Sequence, residues 1–277
     1  MNTTEPTRLT PKQYKSDIKP VWCKGCGDFS VIAAITRGLS QLQLPRENVA
    51  FVSGIGCSSR IPAYSAVYGF HGVHGRALPI ATGLKLARPE LTVLVAGGDG
   101  DGFSIGGNHF MHSCRRNVDL TYVVMDNSVY GMTKGQASPT TASDWTGSKL
   151  TPEGPGMPPF RPLEIALSAG ANFISRATAN DPNGMAEQIV EAIRHPGFSL
   201  VHVLCPCVTY RPEQQELFKA RAHADWQSTT ERAEAMHRLA DDDGYTTGIL
   251  YQGDRPAFMP PPEPRATLEQ IETEFRI

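Results

Sequence analysis

The residues best able to do chemistry stand in one short run, Gly97-Gly98-Asp99-Gly100-Asp101-Gly102, directly after the apolar segment Leu91–Ala96. A strand, a tight turn and a helix start in that order leave backbone N–H groups free to receive phosphate oxygens. Two carboxylates inside such a turn would repel a phosphate unless a divalent cation lay between them. The pattern therefore points to a metal-bridged diphosphate. Magnesium favours octahedral oxygen ligation with few protein donors. Asp99, the Asn127 amide oxygen and a backbone carbonyl near Val129 could supply three positions, with two phosphate oxygens and a water completing the shell. A dinucleotide site fits less well, because Gly100, Gly102 and Gly106 miss the GxGxxG spacing by one residue. A calcium loop is excluded: Ser104 and Phe110 stand where its glycine and its bidentate glutamate belong. An unliganded turn of surface acids is the plain alternative.

A second set of reactive residues is the cysteines. Cys23 and Cys26, in Trp22-Cys23-Lys24-Gly25-Cys26-Gly27, form a loop that can present two thiolates to one metal or cluster. The further candidates are Cys57, in Gly54-Ile55-Gly56-Cys57, and the pair Cys205 and Cys207, each just after an expected strand. Four thiolates gathered there suit a [4Fe-4S] cluster, with tetrahedral zinc as the alternative. Thioredoxin-type chemistry lacks its strand-CxxC-helix context. Cys114, in His112-Ser113-Cys114-Arg115-Arg116, reads as mid-helix packing.

These residues need a scaffold that brings them together. Apolar patterning predicts helices over 28–42, 78–87, 106–116, 162–169 and 185–194, and strands over 49–53, 92–96, 120–125 and 199–204. Such alternation implies the α/β class, a mostly parallel sheet with helices on both faces. Ligands of that class sit at the carboxyl ends of the strands. Those ends deliver 54–57, 97–102, 126–128 and 205–207, the same four loops that carry the chemistry. The segment 138–161, rich in Ser, Thr, Gly and Pro, is expected to be a long ordered loop, and four prolines within 259–264 mark an extended connection. The chain divides into an N-terminal arm (1–20), a core (21–210) and a C-terminal extension (211–277).

Composition narrows the function classes. With 277 residues, 40% hydrophobic and 19% charged, the chain can fill one α/β core plus extensions. A formal net charge of -2, with acids and bases interspersed, offers no basic stripe for nucleic acid. No apolar run approaches the roughly 20 residues of a membrane span. Met1–Pro20 has neither the apolar core of a signal peptide nor the pattern of a transit peptide, so a cytoplasmic location is expected. In that reducing setting the six cysteines point to metal, catalysis or plain burial more than to disulfides.

Gly98-Asp99-Gly100 with Asn127 resembles the signature of thiamine-diphosphate enzymes, whose metal ligands are the Asp and the Asn. That pattern usually ends in two Asn; here Asp126 precedes Asn127, as in the ferredoxin-linked branch. In chain order, Trp22-Cys23-x-Gly25-Cys26-Gly27, Gly54-Ile55-Gly56-Cys57-Ser58, His74-Gly75-Arg76-Ala77, Gly98-Asp99-Gly100-Asp101, Asp126-Asn127-x-x-Tyr130-Gly131-Met132-Thr133-Lys134-Gly135-Gln136 and Cys207-Val208-Thr209 resemble the β subunit of two-subunit 2-oxoacid:ferredoxin oxidoreductases. The match runs from about residue 20 to 210.

That resemblance implies three cofactors: thiamine diphosphate, Mg2+, and a [4Fe-4S] cluster on Cys23, Cys26, Cys57 and Cys207, with Cys205 left to packing. It implies cofactor contacts at Gly56, Cys57, His74, Gly98, Asp99, Gly100, Asp101, Asn127, Val129, Tyr130, Gly131, Met132 and Thr133. The implied reaction is oxidative decarboxylation of a 2-oxoacid with coenzyme A, electrons leaving singly through the cluster to ferredoxin. In such enzymes a second domain provides the glutamate beside the aminopyrimidine, and this chain has residues for one such domain only. An α subunit carrying the pyrimidine half, and a dimer of αβ pairs, are therefore expected.

Substrate choice is expected to hang on Arg60, whose guanidinium could clamp a distal carboxylate bidentately. Ser58-Ser59-Arg60 with Tyr68-Gly69-Phe70-His71 resembles the 2-oxoglutarate branch more than the pyruvate branch, with pyruvate or another 2-oxoacid as the alternative. A loop-anchoring surface charge is the other reading of Arg60. His74 and Arg76 could bind diphosphate or tune the reacting carbonyl, or His74 could brace its turn. Lys134 and Thr133 could contact substrate or coenzyme A, or lie in a solvated loop. Two other function classes compete: a zinc-stapled scaffold subunit, and a cluster-free thiamine decarboxylase or synthase. Neither needs four thiolates beside a metal-diphosphate loop.

Overall fold

The computed structural model describes residues 8–259 and 266–276. Among these residues, strands β1 (Val49–Ser53), β2 (Tyr68–His71), β3 (Thr92–Gly98), β4 (Leu120–Asp126), β5 (Phe173–Thr178), β6 (Phe198–Leu204) and β7 (Gly248–Gln252) form one sheet. Its order is β2-β1-β3-β4-β6-β5-β7. Every neighbouring pair runs parallel except β5 and β7, which are antiparallel. The helices are α1 (Asp28–Leu42), α2 (Ile61–Tyr64), α3 (Ala77–Ala87), α4 (Gly107–Arg116), α5 (Pro162–Ala169), α6 (Pro182–Arg194), α7 (Gln214–Arg221), α8 (Arg232–Ala240) and α9 (Leu268–Glu274).

Alternate residues along each central strand feed two separate cores. Phe51, Leu94, Ala96, Val123 and Val201 face α1 and α6, packing on Val31, Ile35 and Leu39 and on Met185 and Ile189. Ala50, Val52, Val93, Val95 and Val124 face the opposite layer, where Leu78, Phe110, Leu163, Leu167 and Leu239 supply α3, α4, α5 and α8. Each fully buried Val, Leu or Phe contributes about 1.5–3 kcal/mol. Two such layers hold the sheet as a rigid platform for the loops at its carboxyl edge. The expected α/β architecture, with helices on both faces, is the one found.

The differences are local and have physical reasons. Strand β5 escapes the apolar patterning because Arg176 interrupts its run; that charge is buried against the Asp242 carboxylate at 2.7 Å and the Thr246 carbonyl at 3.0 Å. So do β2, exposed along its whole length, and β7, which joins the edge of the sheet antiparallel. The segment after residue 210 therefore adds a strand to the sheet and, through Leu239 of α8, a wall to one core. Before α4 the chain makes a π-helical turn, Gly100–Ile105. The N-terminal arm is anchored at Tyr14, fully buried, whose hydroxyl donates to the Leu44 carbonyl at 2.6 Å. Apart from Met259, the proline-rich stretch lies outside the described residues.

Candidate functional site

From β1 the chain passes to β2 on one side of the sheet, and β3 lies on the other side of β1. A crevice therefore opens at the carboxyl edge between the turns after β1 and β3, where ligands bind in open α/β sheets. It holds a cleft of about 150 Å³ walled by Gly56, Cys57, His74, Asp99, Asn127 and Tyr130, with Met132 and Thr133 at its rim. That is half the lower bound of about 300 Å³ typical for a complete small-molecule site. A cavity of about 510 Å³ lies beyond Asp126, among His202, Arg176 and Asp242, and none of the expected cofactor contacts lines it.

Asp99 is the electrostatic focus. It is 2% exposed, and burial together with the neighbouring Asp126 pushes its carboxyl up to about 8. Ser138 donates to its Oδ2, and the Thr140 hydroxyl lies 3.0 Å from Asp99 Oδ2 and 2.7 Å from Asp126 Oδ1. One hydroxyl proton cannot serve two ionised carboxylates, so Asp99 keeps its proton in the free chain, and a divalent cation would take that proton's place. Burial alone would raise Asp126 as well, but the hydrogen bond and charge of His202, at 2.8 Å, hold it below the usual carboxylate range. Asn127 Oδ1 accepts from Val129 N at 3.1 Å across Ser128, which sits in the left-handed region at φ 52°. The space suits a phosphate: a Cβ on Gly100 would lie 2.3 Å from Tyr130 Cε1, so only glycine lets this backbone line the cleft.

Asp101 does a different job from the one its neighbour does. Its Oδ1 accepts from Ile55 N at 3.0 Å, from Gly75 N at 2.8 Å and from His74 Nδ1. One buried carboxylate thus ties the turn after β1 to the turn before α3. The tie is close enough that a Cβ on Gly54 would fall 1.9 Å from Asp101 Oδ2. Because Nδ1 of His74 is held there, Nε2 is the nitrogen left without a hydrogen-bond partner among the described residues. Arg76 hydrogen-bonds nearby carbonyls, those of Gly75 and Ile105.

The thiols form a second centre against the same cleft. Cys57 Sγ and Cys207 Sγ lie 3.9 Å and 3.8 Å from the point where a Cβ on Gly131 would stand. Trp22 Nε1 donates to the Cys57 carbonyl at 2.8 Å, and Gly27 N to the Pro206 carbonyl at 3.3 Å, drawing the Cys23-Cys26 loop onto both turns. Gly25 makes that loop possible at φ 84°. Burial and then Asp28 push the Cys57 thiol up to about 11; burial raises Cys26 and Cys207 too, and Cys57 and Cys207 each feel Cys23. Among the described residues no three His, Cys, Asp or Glu side chains converge on a single-ion site. Cys205 is turned into the core, its Sγ donating to Asp28 Oδ1 at 3.3 Å, and Cys114 is fully buried in α4.

Other expected residues lie further out. Arg60 is exposed at the end of the turn that starts at Cys57, has no ion-pair partner among the described residues, and lies near enough for its charge to offset part of the rise in the Cys57 thiol. Lys134 is exposed at φ 84°, a backbone region costly for a side chain. Sequence reasoning missed Ser138, Thr140 and His202 around the two aspartates, Asp28 between the thiols and the cleft, and Gln214. Asp28 directly follows the Cys23-Lys24-Gly25-Cys26-Gly27 run, while the others stand in no recognisable spacing and reach the site only through the fold.

Residues 54–203 match the family model of the thiamine pyrophosphate enzyme C-terminal TPP-binding domain. The chain is 48% identical over 209 residues to a 2-oxoglutarate oxidoreductase subunit KorB of Mycobacterium tuberculosis, covering 74% of this chain and 56% of that protein. It is 47% identical over 191 residues to a 2-oxoglutarate synthase subunit KorB of Archaeoglobus fulgidus, covering 69% and 71%. It thus spans little more than half the length of the mycobacterial relative. A solved 2-oxoglutarate:ferredoxin oxidoreductase from Magnetococcus marinus, with 2-oxoglutarate, coenzyme A and succinyl-CoA bound, superposes with TM-score 0.87 at 38% identity, covering 98% of this chain and 90% of that one.

Proposed function

Because the chain belongs to the β subunits of 2-oxoacid:ferredoxin oxidoreductases, we propose that it binds thiamine diphosphate, magnesium and a [4Fe-4S] cluster. With an α subunit supplying the pyrimidine half, it oxidises a 2-oxoacid, 2-oxoglutarate first, with coenzyme A to succinyl-CoA and carbon dioxide, and passes the electrons to ferredoxin. The observation that carries this reading is the meeting of the Cys57 and Cys207 thiols at Gly131, a wall of the metal-diphosphate cleft. Electron transfer needs that closeness, and a non-oxidative decarboxylase does not. The names of the mycobacterial and archaeal relatives and the ligands of the Magnetococcus enzyme support 2-oxoglutarate as the substrate.

When bound, thiamine diphosphate supplies a nucleophilic carbon for decarboxylation and the cluster accepts electrons one at a time. Asp99, Asn127 and the Val129 carbonyl would hold the magnesium, and the Gly98-Asp99-Gly100 backbone the diphosphate. Cys23, Cys26, Cys57 and Cys207 would hold the cluster, losing their protons as iron binds. Asp101 fixes the turns carrying Ile55 and His74, so that His74 Nε2 can hydrogen-bond the diphosphate or the substrate carbonyl. Arg60 takes the distal carboxylate, and Lys134 and Thr133 lie on the path of coenzyme A. The half-sized cleft is completed by the α subunit, in a dimer of αβ pairs in the cytoplasm.

The direct test is ferredoxin reduction by the chain copurified anaerobically with its α subunit. Reduction that depends on both 2-oxoglutarate and coenzyme A, and exceeds that with pyruvate, is the expected result; no reduction with any 2-oxoacid would overturn the reading.

A further inference from the structure

We propose that Gln214 is a positioning residue that locks the magnesium loop to the cluster loop, an inference that rests on the function proposed above. Gln214 opens α7 and is 1% exposed. Its Nε2 donates to the Asn127 carbonyl at 2.7 Å, and its Oε1 accepts from Cys207 N at 3.1 Å. A carbonyl on one side and an N–H on the other fix the orientation of the amide, since a flipped glutamine would face like with like at both ends. One side chain therefore joins the backbone of a residue expected on magnesium to that of a residue expected on the cluster.

The residues before it make the same crossing. Arg211 N donates to the Cys207 carbonyl at 2.8 Å, while its Nη1 donates to the Ser128 carbonyl at 3.2 Å. The Arg211 guanidinium stacks 4.5 Å over the Trp145 ring. Tyr210 lies so close to Gly135 that a Cβ there would come within 2.8 Å of Tyr210 Cδ1. Residues 207–214 thus grip residues 127–135 at three successive places, and Gln214 is the member whose side-chain amide alone makes both bonds.

Two consequences separate this role from ordinary packing. Holding the Asn127 carbonyl sets the direction of the Asn127 side chain, so losing the Gln214 donor weakens magnesium-dependent thiamine diphosphate binding. Outer residues that orient metal ligands typically change affinity by about 10-fold or more. The acceptor end occupies the Cys207 N–H. Freed, that N–H can turn toward sulfur, and hydrogen bonds to cluster sulfurs favour the more negative, reduced state. Gln214 thereby keeps the cluster strongly reducing.

The test uses two substitutions of similar size in the complex with the α subunit. Gln214→Glu keeps an acceptor for Cys207 N and loses the donor to Asn127; Gln214→Met loses both. Thiamine diphosphate affinity, from intrinsic fluorescence titration in magnesium, is expected to fall about 10-fold in both variants. The midpoint potential of the cluster, followed by EPR, is expected to rise only in Gln214→Met. Wild-type affinity and potential in both variants, or the same potential rise in both, would overturn the proposal even if melting temperatures dropped. A wild-type complex with no iron-sulfur signal would count instead against the proposed function, and the thiamine titration would then decide the role of Gln214.

Discussion

Cys57 and Cys207 bring their sulfurs within 4 Å of one point on Gly131, although the turns that carry them follow β1 and β6, separated in the sheet by β3 and β4. Gly131 also walls the cleft beside Asp99 and Asn127. The sheet thus brings two distant stretches of sequence to one wall of the cleft.

If these thiols hold a cluster, Cys57→Ser and Cys207→Ser purified anaerobically will lose the broad visible iron-sulfur band and most of their iron. Cys205→Ser and Cys114→Ser will keep both, because those sulfurs face the core. Chemical iron analysis beside the visible spectrum decides it. Iron loss in Cys205→Ser equal to that in Cys207→Ser would reassign the fourth ligand.

Asp99 couples binding to stability. Its carboxyl sits at about 8 in the folded chain, chiefly through burial, against 3.8 for a free side chain. A raised acid contributes most below its unfolded value and loses that contribution as pH climbs to the folded one. The metal-free protein should therefore lose stability between about pH 4 and pH 8. Asp99→Asn removes this loss while abolishing magnesium-dependent thiamine diphosphate binding. Melting curves in EDTA at about pH 5 and about pH 8 measure it: the variant should melt higher than wild type at the upper pH, and a lower value there would contradict the assignment.

Lys134 holds a left-handed backbone, φ 84°, in the loop between Tyr130 and Gln136. Strain of this kind is worth about 1–3 kcal/mol and gathers at functional sites. Lys134→Gly should raise the melting temperature and at the same time raise KM for coenzyme A or the 2-oxoacid. A more stable variant with unchanged kinetics would show Lys134 to be a solvated loop residue.

Arg60 bears on substrate choice. A charged hydrogen bond is worth about 1.5–3 kcal/mol, so Arg60→Ala should lower kcat/KM for 2-oxoglutarate by about 10-fold or more and leave pyruvate unaffected. An unchanged ratio between the two substrates would assign Arg60 to the neighbourhood of Cys57, where its charge offsets part of the upward push of burial on the thiol.

Much of the architecture is legible in the sequence because the chemistry falls at strand ends. Gly54–Cys57, Gly98–Asp101, Asn127 and Cys207 each follow a continuous apolar run, and a parallel sheet must bring such ends to one edge. Strand β5 is hidden because Arg176 breaks the run, and the distant Asp242 carboxylate and Thr246 carbonyl make that charge tolerable. Asp101 reads as a cofactor contact from the resemblance alone; in the fold it lines the cleft and its Oδ1 also braces the turns at Ile55 and Gly75, which no spacing announces. Gln214 carries no signal at all in sequence, since its significance lies in two backbone groups, one of them far away along the chain.

The central claim, that this chain draws electrons from a 2-oxoacid into a cluster built on its own cysteines, is tested most directly by EPR. The complex with the α subunit is mixed anaerobically with 2-oxoglutarate and coenzyme A and frozen. A reduced [4Fe-4S] signal that appears only with the 2-oxoacid present, and is absent from Cys57→Ser, is the predicted result. A cluster that dithionite reduces and 2-oxoglutarate does not, or a complex with no cluster, would contradict it.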